Sequence, residues 1–160
     1  MAAARTTTFW TFIGILVLVH LVLRVGLGLT VIPDLITVAM LLGARRLAGW
    51  HAALYGLVLG ILADSLAVVG FGATAVAYVI VGYLGSRSRS LFEGESYLFV
   101  FGYVFLGGWM VDAIRFVMSG AMGRGTPLSY LWSDAALGAL YLAVAAVVSM
   151  MAYRAATGHR

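Results

Sequence analysis

The chain has 160 residues, of which 63% are hydrophobic and 10% are charged, and its formal net charge is +4. Soluble domains are about half apolar and about a quarter charged, so this composition excludes an ordinary soluble fold and favours a single integral membrane domain. The absence of cysteine excludes disulfides, thiolate metal sites and cysteine nucleophiles.

Six apolar segments predict an all-α integral membrane bundle of six transmembrane helices, because a helix needs about 20 residues to cross the bilayer. We predict spans at residues 8–29, 32–47, 50–69, 72–86, 96–119 and 134–153. Together these spans form one transmembrane domain over residues 1–160, and we expect both termini in the cytoplasm.

The second span is the shortest. Its apolar part, residues 32–44, would rise only about 20 Å, whereas the hydrocarbon core is about 30 Å thick. It is either a full crossing, completed by Arg45 and Arg46 reaching to the interface, or a re-entrant half-helix. Pro33 suits the start of a helix, where its missing N–H costs nothing.

The placement of arginine favours the full crossing. With six spans the cytoplasmic side holds Arg5, Arg45, Arg46, Arg87, Arg89, Arg154 and Arg160, and the outer loops hold Arg124 alone. Without a crossing at residues 32–44, the Arg45/Arg46 pair and the Arg87/Arg89 pair would lie on opposite sides. The positive-inside rule therefore predicts a multi-pass membrane protein, and it accounts for the net charge without nucleic acid.

Six charged residues fall in the outer half of the predicted bundle, where a charge costs at least ~2.5 kcal/mol and needs a partner or water. They are Arg24, Asp34, Asp64, Asp112, Arg115 and Asp134. One interpretation is structural: Asp34 and Asp134 cap helices, and Asp112 pairs with Arg115 one turn away. The other is a polar cavity or a partner-docking surface that opens to the outer face. His20, in the middle of the first span, is either a core residue or a proton-handling group.

The glycines predict close contacts between helices. Gly56 and Gly60 form a GxxxG pattern, with Gly72 and Gly82 following in the next turn and helix. Such residues let helix backbones touch, either within this bundle or against the single membrane helix of another protein.

Motifs of enzymes are absent. The sequence has no G-x-S-x-G, H-E-x-x-H or P-loop pattern and no pair of histidines at metal spacing, and we predict no activating base for Ser65, Ser119 or Ser149. We therefore predict no catalytic, cofactor or metal site and no enzymatic activity.

From Pro33 to Arg89 the sequence resembles the MreD family of rod-shape-determining proteins. A Pro-Asp pair opens a leucine-rich helix that ends in two arginines, PDLITVAMLLGARR. A Gly-rich helix ending in Asp, a turn and a Gly-Tyr-Leu stretch follow, with Gly56, Gly60, Asp64, Gly72, Gly82, Tyr83 and Leu84 as the matches. Where the family often has Ser-Gly-Gly-Pro after the Asp, this chain has LAVVGFG.

The resemblance implies a non-enzymatic membrane scaffold in bacterial cell-shape determination and peptidoglycan elongation, located in the inner membrane and without a cofactor. Its partners would be MreC, which is a bitopic membrane protein, and the associated RodA, penicillin-binding transpeptidase and MreB. The implied fold is similar to the substrate-binding subunits of energy-coupling-factor transporters. The alternative is therefore a vitamin-binding transporter subunit, which the lack of Asn and Gln in the chain disfavours.

Overall fold

The protein is mostly helical in the part of the chain that the structure describes. The computed structural model describes residues 2–28, 33–66, 71–88, 96–118 and 129–157. Of these residues 90% are helical and none forms a strand, which confirms the all-α prediction. Among the described residues, three helical stretches are long and apolar enough to cross a membrane, namely Thr6–Gly26, Tyr97–Met118 and Ser129–Thr157.

The helices follow the order of the predicted spans. They are α1 (Ala2–Leu21, continued by a π-helical turn over Val22–Gly26), α2 (Leu35–Ala44), α3 (Gly49–Ser65), α4 (Ala73–Arg87), α5 (Tyr97–Met118), α6 (Ser129–Trp132) and α7 (Asp134–Thr157). The predicted span limits at residues 29, 32, 69 and 119 lie outside the described residues, as do Arg89, Arg124 and Arg160.

Helix α2 is the centre of the bundle. It packs against α1, α3, α4, α5 and α7, and all ten of its residues are buried. A helix that is apolar on every side is stable only when it is enclosed. Its ten residues rise about 15 Å, so the helix is shorter than the span predicted at residues 32–47, because Asp34 caps its start and Arg45 and Arg46 form a turn at its end.

Helices α3 and α4 form a tight hairpin. A Cβ added at Gly56 would come within 3.0 Å of the Tyr78 carbonyl, and one at Gly60 would do the same with the Ala75 backbone. From the other side, Gly82 meets the carbonyl of Ala52. The GxxxG pattern therefore packs α3 against α4 inside the molecule, and this face is not open to the helix of another protein.

The chain direction alternates from helix to helix, so the bundle has two chemically different ends. We call the end with Asp34, Asp64, Asp112 and Asp134 the aspartate end, where the starts of α2, α4 and α7 meet the ends of the π turn, α3 and α5. The opposite, arginine end holds Arg45, Arg46, Arg87 and Arg154. At the arginine end, cation–π contacts join neighbouring helices. The Arg46 guanidinium lies over the Phe9 ring of α1, and the Arg154 guanidinium of α7 lies over the Tyr97 ring of α5.

Candidate functional site

Asp34 organises the aspartate end by capping α2. Its Oδ1 accepts the backbone N–H groups of Ile36 at 3.2 Å and Thr37 at 3.3 Å. The first N–H groups of a helix have no carbonyl acceptor within the helix, so the Asp34 carboxylate provides the acceptor that they lack.

The second carboxylate oxygen of Asp34 extends this cap into the core. It accepts the Thr37 hydroxyl at 2.8 Å, and the Thr37 oxygen lies 2.6 Å from the hydroxyl of Tyr78. Since the single Thr37 proton is used toward Asp34, Tyr78 is the donor in the second bond. Tyr78 is fully buried, and this relay satisfies its hydroxyl where water cannot.

His20 also belongs to this network. Its Nδ1 accepts the backbone N–H of Leu35 at 3.3 Å, and its Nε2 lies 3.9 Å from Asp34 Oδ1. When Nδ1 is the acceptor of a neutral imidazole, Nε2 holds the proton and faces the carboxylate. His20, which is 1% exposed, therefore joins α1 to the start of α2.

A cavity of about 190 Å³ opens beside this cap. Asp112 and Arg115 of α5 line it with Asp34 and Thr37, and α7 contributes Tyr141. Asp112 Oδ1 and the Arg115 guanidinium are 3.7 Å apart, and both side chains are about a third or more exposed, at 32% and 41%. The ion pair predicted from their spacing is thus present, at the edge of a cavity.

A smaller cavity of about 30 Å³ adjoins the first, since Asp34 and Arg115 line both. His20 and Arg24 complete its polar wall. Across the two cavities, two carboxylates face two guanidinium groups, so the formal charges balance. The structure therefore brings together four residues of the predicted outer cluster: Arg24, Asp34, Asp112 and Arg115.

The other two predicted members lie apart from these cavities. Asp64 is 1% exposed, and its carboxylate accepts the backbone N–H groups of Gly72 at 2.9 Å, Thr74 at 3.2 Å and Ala75 at 2.9 Å. It therefore caps the start of α4 from the end of α3. Asp134 is the exposed first residue of α7 rather than the residue before it, and it lines neither cavity.

Gly72 has a conformational role in this cap. Its φ of +95° lies in the left-handed region, which only glycine adopts readily. That conformation orients its N–H toward Asp64, so the predicted Gly72 belongs to a turn rather than to a packing or docking face.

Thr37 and Tyr78 were not predicted from the sequence. Thr37 lies three residues after Asp34, and this spacing suits a hydrogen bond between the Thr37 hydroxyl and the capping carboxylate. The bond could therefore have been predicted from the sequence. Tyr78 lies 41 residues further along the chain, and no local pattern connects it to Asp34.

Metal-binding geometry is not found in the described part of the chain, where no three His, Asp or Glu residues lie together. The two cavities at the aspartate end are lined instead by a compensated set of charges at a small opening. Such a set can pair with polar groups that approach from outside, but it has no excess charge with which to attract an ion.

Comparison of the chain with family models, with curated proteins and with solved structures finds no significant match.

Proposed function

We propose that the protein is a member of the MreD family and a non-enzymatic scaffold of the bacterial elongation machinery in the inner membrane. In this role it binds the bitopic protein MreC and associates with RodA, a penicillin-binding transpeptidase and, indirectly, MreB. Support comes from the positions of the residues on which the resemblance rests. Asp34 caps the central helix, Asp64 caps α4, and the glycine pair closes the α3–α4 contact.

The small volume of the aspartate-end cavity is the main observation behind this choice. Pockets that enclose a drug-sized ligand have volumes of roughly 300–1,000 Å³, whereas this cavity measures about 190 Å³. Asp34 and Thr37 in its wall are also engaged in the cap and relay of α2. A partner's polar side chain fits such an opening better than a vitamin does.

Six crossings are part of the proposal. The alternating direction of the helices and the four arginines at one end agree with the positive-inside rule. A reporter enzyme fused after Arg46 tests this, because six crossings place the fusion point in the cytoplasm and the reporter signal should come from that side only. Activity on the periplasmic side would show that α2 does not complete a crossing.

A groove between α4 and α5 is the surface that we propose for the membrane helix of MreC. Its volume is about 420 Å³, and its wall is mostly apolar, with exposed Leu84, Leu98 and Leu106. Gly102 also lines it, and a Cβ at this position would meet nothing within 4 Å. A small residue facing an open groove lets a second helix approach closely.

Gly102→Leu therefore tests the proposal directly. The added side chain extends into the groove without a clash inside the bundle, so the protein should accumulate normally while co-purification of MreC in mild detergent falls at least tenfold. Gly14→Leu is the matched control. Gly14 lies in α1, outside the groove, and a Cβ added there also meets nothing within 4 Å. It should leave co-purification unchanged.

The outcomes separate the two candidate functions. If the native chain brings down no MreC-like protein, or if Gly102→Leu and Gly14→Leu behave alike, the scaffold with this docking groove is wrong. A vitamin-binding subunit, which the presence of a cavity at the aspartate end favours, would instead co-purify with a tightly bound small molecule. Arg115→Ala should release that molecule while the protein level stays normal.

A further inference from the structure

The larger cavity at the aspartate end has charged groups of both signs in its wall. Asp112 and Arg115 of α5 line it together with Asp34, the cap of α2. The Asp34 carboxylate already accepts two backbone N–H groups and the Thr37 hydroxyl, and these bonds use most of its acceptor positions. Asp112 is therefore the carboxylate that a ligand in this cavity would meet.

Asp112 and Arg115 attract each other across a gap. Asp112 Oδ1 and the nearest Arg115 guanidinium nitrogen are 3.7 Å apart, whereas an N–H···O hydrogen bond spans about 2.7–3.2 Å. Both side chains are also partly exposed. A ligand that has a cation and an anion a few bonds apart can therefore bind both groups, with its cation at Asp112 and its anion at Arg115.

The balance of charge favours a ligand without net charge. Across the two adjoining cavities, Asp34 and Asp112 face Arg24 and Arg115. A simple cation or anion in this set would leave one charge uncompensated in a partly buried place, which costs free energy. A zwitterion keeps the set neutral while pairing with both signs.

The position of Tyr141 indicates that the cavity opens beside the lipid-facing side of α7. Tyr141 lines the cavity and is 51% exposed. Leu137, Leu140 and Val144, which lie within about one turn of it on the same helix, are exposed as well. Such an exposed apolar stripe is typical of a surface that contacts a membrane, so a lipid can reach the cavity from the bilayer.

We propose that this cavity binds the headgroup of a phosphatidylethanolamine lipid, with its ammonium at Asp112, its phosphate at Arg115 and its acyl chains along the exposed side of α7. Two carbons join the ammonium to the phosphate, which suits charged groups 3.7 Å apart. A cavity of about 190 Å³ is smaller than the roughly 300–1,000 Å³ of pockets for drug-sized ligands, so it accepts a headgroup and leaves the chains outside. The inference requires only that the bundle lies in a membrane, and it does not depend on the scaffold function.

Native mass spectrometry of the full-length protein measures this preference. The protein in detergent receives equal amounts of phosphatidylethanolamine, phosphatidylcholine and phosphatidylglycerol with the same acyl chains. The choline headgroup has the same phosphate, but its methylated nitrogen has no N–H to donate, and the glycerol headgroup has no cation. We expect roughly tenfold more bound phosphatidylethanolamine than either of the others, since it alone donates a charged hydrogen bond to Asp112.

A pair of variants tests the role of Asp112. Asp112→Asn keeps the shape of the side chain and removes its charge, so the preference over phosphatidylcholine should disappear. Asp134→Asn is the control, because Asp134 is an acid at the same end that lines neither cavity. It should retain the preference.

A second pair tests the cavity without changing any charge. A Cβ added at Gly138 would lie 3.9 Å from Asp112 Oδ2, so the side chain of Gly138→Leu extends into the cavity. Retention of phosphatidylethanolamine should then fall to the level of phosphatidylcholine. Gly14→Leu, in α1 and away from the cavity, should leave it unchanged.

Four results would overturn the proposal. Equal retention of the three lipids by the native protein would do so without any variant, and so would equal losses within either pair of variants. Stronger retention of phosphatidylglycerol would mean that the protein binds phosphate through positive charge alone. Complete displacement of the lipid by an equimolar amount of soluble phosphoethanolamine would indicate a soluble zwitterion as the ligand.

Discussion

The two ends of helix α2 are stabilised in different ways. At its start, a carboxylate, a hydroxyl, a phenol and an imidazole form a network of hydrogen bonds that joins α1, α2 and α4. At its end, two guanidinium groups stack on aromatic rings beside a cavity about three times as large as the one at the start. The comparison shows that one short central helix leaves a cavity at each end, one bordered by a hydrogen-bonded network and the other by stacked guanidinium groups.

The different interactions predict different energetic consequences. A hydrogen bond to a charged group contributes about 1.5–3 kcal/mol, and a buried donor left without an acceptor costs about 1–3 kcal/mol. A cation–π contact at a partly exposed site contributes about 0.5–1 kcal/mol. Substitutions at the aspartate end should therefore destabilise the bundle more than those at the arginine end.

Asp64→Ala should produce the largest effect on stability. It removes the acceptor of three backbone N–H groups at the start of α4, so we expect a loss of about 3 kcal/mol or more. The free energy of unfolding can be measured by sodium dodecyl sulfate titration in mixed micelles.

Asp134→Ala is the control for Asp64→Ala. It removes an exposed acid from the first turn of α7 at the same end, and a favourable charge at a helix start contributes about 0.3–1 kcal/mol. Equal losses in the two variants would mean that the Asp64 cap is unimportant and that the aspartate end is not a hydrogen-bonded frame.

A double-mutant cycle on Thr37 and Tyr78 should give the next largest effect. Thr37→Val leaves the buried Tyr78 hydroxyl without its acceptor and should cost about 1–3 kcal/mol. Adding Tyr78→Phe removes the orphaned group, so the double variant should lose less than the sum, with a coupling of about 0.5–3 kcal/mol.

Tyr103→Phe provides the matched control for that cycle. Tyr103 also donates to α2, but to the Leu41 carbonyl near the arginine end, at 3.0 Å. Combined with Thr37→Val it should be additive, because the two hydrogen bonds share no partner. Coupling of the same size in both cycles would contradict a network confined to the aspartate end.

Arg46→Gln should have a smaller effect on stability than the substitutions at Asp64 and Thr37. It loses the contact over Phe9 and should cost about 0.5–1 kcal/mol, while Arg87→Gln, at an exposed position, should stay within about 0.5 kcal/mol. Unfolding titrations of both variants measure this difference. A loss from Arg46→Gln as large as that from Asp64→Ala would show that the arginine end is also a structural frame and would remove the contrast between the ends.

Local features of the site were predictable because they depend on residues close in sequence. The Pro-Asp pair predicts a capped helix start at Asp34, and the spacing of Asp112 and Arg115 predicts an ion pair across one turn. The GxxxG pattern at Gly56 and Gly60 predicts close helix packing. In each case the chemistry acts within one or two turns of helix, so the pattern is visible in the sequence.

The role of Asp64 was not predictable in this way. An acid at the end of an apolar helix suggests a polar surface or a cavity, and only the fold brings its carboxylate to N–H groups eight to eleven residues later. The relay from Tyr78 to Thr37 depends on the packing of α4 against α2 across 41 residues. Sequence patterns do not report such contacts, because any apolar face could have packed there.

The sequence by itself determined that the protein is all-helical and of membrane character. Its apolar composition is typical of a chain in a lipid bilayer, and three of its described helical stretches are long and apolar enough to cross one. Only the tertiary structure decided that α2 is enclosed on every side and that its two ends open into unlike cavities. The physical reason is that burial and cavity volume are properties of several helices packed together, and no single segment encodes them.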